Sequence, residues 1–133
     1  MKIWGDFHTH TVYSHGSGTI KDNVEAAIKA GLSAVGISEH GPANLFMGPR
    51  VSDFDKMREE IERLKEIYNN INIYLGCEAN IVSLDGKLDI PEKILETMDY
   101  VMAGLHPMVW PRSIKDGVFL IADNILARHS RDF

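Results

Sequence analysis

Apolar runs of strand length alternate with helical stripes along almost the whole chain, and this alternation restricts the fold more than any other feature. Parallel strands joined through helices produce that pattern, because each crossover must cover the face of the sheet it has just left. Residues 2–8 read as a first strand. Ile20, Val24, Ala27 and Ile28 fall at i, i+4, i+7 and i+8, one face of a helix closed by Gly31. Residues 33–38 form a second strand. Ser52 with Asp55 reads as a capping box, after which Phe54, Met57, Ile61, Leu64 and Tyr68 continue a helical stripe. A third strand covers 71–79, followed by the turn-forming Leu84-Asp85-Gly86-Lys87. Pro91 opens a short helix, a fourth strand covers 100–106, and Val118, Ile121, Ala122, Ile125 and Leu126 mark a last stripe. The strands are apolar on both faces, as expected for a sheet covered by helices. Four βα units of an α/β fold are predicted.

With 133 residues, 44% of them hydrophobic, the chain can bury one core. Residues 1–133 are therefore expected to form a single domain. A net charge of -5 with scattered basic residues disfavours nucleic acid as a partner, since a phosphate backbone needs a concentrated positive surface. The start of the chain carries Asp6 and His8 where a signal peptide needs an apolar run, and no segment approaches the roughly 18 apolar residues of a membrane span. Cys77 is the single cysteine, which fits a reducing compartment. A cytoplasmic location is expected, without membrane attachment.

The histidines are not scattered. In an extended strand residues two apart share a face, so Asp6, His8 and His10 are expected to project together, with Ile3 and Phe7 opposite. Two such imidazoles, with Cβ atoms roughly 7 Å apart, can reach one ion at about 2.0–2.1 Å from each nitrogen. His15 follows in a loop able to fold back over them. His40 closes the second strand, Glu78 the third and His106 the fourth. Ligands of parallel sheets and barrels bind at these carboxyl ends. A solvated surface role is reasonable for any one of these histidines, but five of the chain's six at strand ends point to a shared metal site. Histidines with a carboxylate and no thiolate suit zinc, manganese or iron. Cys77, one residue from Glu78, should face the other side of its strand beneath a helix. Asp6 is placed to orient an imidazole. No Gly-x-Ser-x-Gly elbow and no Gly-x-x-x-x-Gly-Lys loop occurs, which removes serine hydrolases and nucleoside triphosphatases. Arg50 and Arg112 lie in loops where they could clamp an anion, although solvated loop arginines are commoner.

The ordered set Asp6-Phe7-His8-Thr9-His10 with His15, Glu39-His40-Gly41-Pro42, Cys77-Glu78-Ala79-Asn80 and Gly104-Leu105-His106 resembles the polymerase and histidinol phosphatase (PHP) family. The stretches Glu78-Ala79-Asn80-Ile81, Asp85-Gly86 and Asp99 to Gly104 are similar to its YcdX-like phosphatase branch. The resemblance covers residues 3 to about 111. It implies a distorted TIM-like (β/α)7 barrel, of which this chain covers roughly the first four βα units. It also implies up to three divalent ions that hydrolyse phosphate esters of small substrates. By residue, it places His8, His10 and Glu78 on one metal and His15 and His40 on a second, with Glu78 bridging to a third held by His106. Complete members carry later His-Pro and Asp-x-His motifs that supply three more ligands, and neither occurs here, where His129 is the only later histidine. His129 shares the face of the last apolar stripe and is expected to be packed or helix-terminal. A domain covering half a barrel is expected to dimerise through its open edges. The alternative function is a metal-binding domain without catalysis.

Overall fold

The computed structural model describes residues 2–106 and 108–129; for 123–129 only the backbone is described. The elements run β1 (Gly5–Thr9), α1 (Ile20–Lys29), β2 (Ala34–His40), α2 (Val51–Ile67), β3 (Asn72–Asn80), α3 (Glu92–Leu95), β4 (Tyr100–Gly104) and α4 (Ile114–His129). The four strands pair in parallel in the order β1-β2-β3-β4, and the sheet curls like part of a barrel. This is the predicted α/β arrangement.

The helix-facing side of the sheet carries the core. Val35 and Ile37 of β2 and Ile73, Leu75, Cys77 and Ala79 of β3 pack against Ile20, Val24 and Ala27 of α1 and Phe54, Met57, Ile61 and Leu64 of α2. Both helical stripes thus fall where their spacing put them. Cys77 is fully buried in this layer, as expected, and burial pushes its thiol up to about 12. Thr19 caps α1 by a reciprocal bond pair with Asp22, and Gly31, at φ 74°, turns the chain out of the helix.

One local expectation needs correction. Helix α2 starts at Val51, with Arg50 as the capping residue, so Ser52 and Asp55 do not form the cap. Asp53 does the work instead, its Oδ2 accepting from the Arg50 backbone N–H at 3.0 Å. In the last stripe, Val118 and Ile121 of α4 are 62% and 63% exposed. The packing of Ile125, Leu126 and His129 lies outside the described side chains.

The opposite, concave side is shaped by one aromatic ring. Tyr100 of β4 lies across Gly76 of β3 and Gly36 of β2, where added Cβ atoms would stand 2.3 Å and 2.2 Å from it. Its hydroxyl donates to the carbonyl of Phe7 in β1 at 2.6 Å. Three strand spacings of a flat sheet span roughly 14 Å, more than one tyrosine side chain can bridge, so this contact measures the curl. Phe7 also packs with Tyr74 and Tyr100, at ring separations of 5.7 and 5.9 Å. The expected alternation, with Phe7 turned away from the histidine side, fails because the β1–β2 register shifts between Asp6 and Thr9. Side chains pin the irregularity: Thr9 Oγ1 donates to the Gly36 carbonyl at 2.7 Å, and Ser38 Oγ to the Thr9 carbonyl at 3.3 Å.

Candidate metal centre

At the carboxyl edge of the curled sheet, Glu78 sits among four imidazoles. Register fixes the first partner, since His40 of β2 pairs directly with Glu78 of β3. The other three histidines reach the same carboxylate from β1 and from beyond β4. His8 Nε2 and His10 Nε2 lie 3.1 and 3.4 Å from Glu78 Oε2, and His40 Nδ1 lies 3.3 Å from it. His106 Nε2 is 2.9 Å from Glu78 Oε1. His15, in the loop after β1, stacks over the cluster with ring separations of 4.3 Å to His10 and 5.0 Å to His40.

These contacts define three overlapping groups whose donor atoms all lie within 4.8 Å of one another: His10, His15 and His40; His8, His10 and Glu78; and His40, Glu78 and His106. All six expected ligands are therefore brought together. Asp6 is also nearby, but its Oδ1 accepts from the backbone N–H of His8 at 3.1 Å, a contact that steadies the strand rather than a ring. Arg50 and Arg112 are both exposed.

Burial and neighbouring charge act on two members of the cluster, His40 and Glu78. Burial is the main influence on His40, holding its pKa below the ordinary histidine range although the Glu78 charge works the other way. For Glu78 burial alone would raise the pKa, but its contacts with His8 and His106 and the surrounding imidazoles leave it below the usual carboxylate range. His40 Nδ1 is buried and makes no hydrogen bond, although Glu78 is close by. A buried ring nitrogen without a partner is costly unless something else binds its lone pair. A cation beside His40 and the Glu78 carboxylate answers that need, so the imidazole and carboxylate donor set fits a divalent transition metal.

Two supporting carboxylates escape a reading of histidine positions alone. Glu39 is fully buried, and its Oε1 accepts from Thr11 N–H at 2.7 Å and from Thr11 Oγ1 at 2.6 Å. Its Oε2 accepts from Ser14 Oγ and lies 3.8 Å from His10 Nδ1. Asp89 is folded back beside β3 by the turn at Gly86, whose φ is 79°. There it accepts from the backbone N–H groups of Asn80 and Ala43, each at 2.8 Å. Glu39 had a visible signal, a carboxylate next to His40 at the end of a largely apolar strand. Asp89 had none, because its partners are set by the turn.

The sequence model of the PHP domain matches residues 6–130. A probable phosphatase of Clostridium acetobutylicum is 36% identical over 118 residues, covering 87% of this chain and 46% of the relative. Probable phosphatases of Caldanaerobacter subterraneus and Clostridium novyi are each 37% identical, over 107 and 123 residues, covering 80% and 91% of this chain and 40% and 48% of theirs. The chain spans about half the length of the curated relatives it matches. No helix among the described residues is long and apolar enough to cross a membrane.

Proposed function

The chain belongs to the PHP domain family, and on that premise we propose that its histidine–glutamate cluster binds divalent transition metal and serves the hydrolysis of small phosphate esters. The observation that carries this reading is the convergence of four imidazole nitrogens on Glu78. His8, His10 and Glu78 would hold one ion, and His15 with His40 a second. Glu78 and His106 would hold a third. When bound, such ions supply positive charge for the phosphoryl oxygens and lower the pKa of water towards neutrality. The protein's own groups fix the geometry: Glu78 sets the spacing of the sites, burial keeps His40 neutral, and Glu39 stands behind His10. Zinc, manganese and iron all suit these donors. The single cysteine is buried, in keeping with a cytoplasmic setting.

Hydrolysis of a simple aryl phosphate, measured with and without added manganese or zinc, tests the reading. Metal-dependent turnover that disappears in Glu78→Gln supports it. Metal binding with no turnover would assign these residues to a metal-binding role alone.

A further inference from the structure

Beyond the six proposed ligands, a chain of hydrogen bonds runs from Asp89 through Asn80 to His106. Asn80 is fully buried. Its Nδ2 donates to Asp89 Oδ2 at 2.6 Å and to the Gly41 carbonyl at 3.2 Å. Both partners only accept, so the amide cannot be turned round without setting oxygen against oxygen. Asn80 Oδ1 is therefore the atom that faces His106 Nδ1, at 2.8 Å. Because that oxygen only accepts, Nδ1 must carry the ring proton in the neutral imidazole. The lone pair is left on Nε2, 2.9 Å from Glu78 Oε1. Two acceptors at that separation call for a proton or a cation between them.

Asp89 is itself held in place. Its oxygens take the backbone N–H groups of Ala43 and Asn80. Gly41 makes room for it, since a Cβ there would stand 2.1 Å from Asp89 Oδ1. One carboxylate thus ties together the chain just after His40, the chain just after Glu78 and, through Asn80, the ring of His106.

We propose that Asp89 is a positioning residue that fixes, through the Asn80 amide, the orientation and tautomer of His106 so that Nε2 is presented to a metal ion. This deepens the reading of the cluster as a metal site and rests on it for its purpose, but not for its test. Nitrogen NMR of the metal-free chain at alkaline pH reports which ring nitrogen of His106 is protonated, with no metal needed. The proposal expects the proton on Nδ1 and is overturned by a proton on Nε2. In Asp89→Asn at least one of the N–H groups that the carboxylate accepts, from Ala43, the Asn80 backbone or the Asn80 side chain, would face an N–H instead. The Nδ1–H preference should weaken, and zinc affinity should fall roughly 10- to 100-fold. An unchanged tautomer together with unchanged zinc affinity in that variant also overturns it. Should Asp89→Asn fail to fold, the wild-type tautomer alone decides. Failure of the wild-type chain to bind zinc, with Nδ1 protonated, would count against the metal reading and leave the positioning intact.

Discussion

The hydroxyl of Tyr100 on β4 donates to the carbonyl of Phe7 on β1, joining the two edge strands of a four-stranded sheet across its concave side. Burial holds the phenol proton in place, raising the Tyr100 pKa to about 12. Tyr100→Phe should therefore cost about 1 kcal/mol at any ordinary pH. Gly76→Ala should cost more, roughly 1–3 kcal/mol, by driving a methyl into the ring. Urea denaturation of both variants and of Gly76→Ala combined with Tyr100→Ala checks this. The glycine substitution should become nearly neutral once the ring is gone.

Glu39 accepts from a fully buried threonine. Glu39→Ala would strand the Thr11 N–H and hydroxyl, and each unpaired group costs roughly 1–3 kcal/mol. Denaturation in the presence of chelator should show this loss without any metal contribution. A loss under about 1 kcal/mol would mean that water or Ser14 replaces the carboxylate.

Acid should weaken the metal-free protein in two stages. The folded-state pKa of His40 lies below its ordinary 6.5, so the unfolded chain takes up this proton first. That contribution is complete above 6.5 and is lost as pH falls through the ordinary value towards the folded one. The Glu78 pKa is lowered from 4.5, so its contribution is present above 4.5 and is lost at more acid pH. Chelated wild-type protein, melted in urea across this range, should lose stability from just below 6.5. His40→Gln should lack the first stage.

Exposed apolar side chains on α4 and in the loop before it predict self-association of this chain. Ile114 is 88% exposed, and Trp110, Val118 and Ile121 are each over 60% exposed. Apolar surface of that extent is normally covered by a partner. Light scattering on a size-exclusion peak should report more than 14.9 kDa. A monodisperse species of that mass at micromolar concentration would contradict the prediction.

Much of this architecture was legible because it rests on periodicity. The stripes of α1 and α2 and the burial of Cys77 follow from spacing alone. His40, Glu78 and His106 share one edge because successive parallel strands all end there. What spacing could not give was geometry that depends on neighbouring strands. The register shift in β1 turns Phe7 to the concave side, and only the partner β2 reveals it. The start of α2 was displaced because Ser52 and Asp55 mimic a cap that Asp53 supplies from the first turn. Asp89 acts on His106 through a hairpin turn and a buried amide, contacts that leave no periodic trace.

Metal stoichiometry tests the central claim most directly. The purified chain, equilibrated with zinc or manganese and freed of excess, should retain at least one ion per chain by elemental analysis. His8→Ala with His10→Ala should lose part of that metal, and Glu78→Ala, which removes the carboxylate common to four imidazoles, should lose most of it. A wild-type protein that is folded but retains no metal, or a Glu78→Ala variant that retains as much as wild type, would contradict the account.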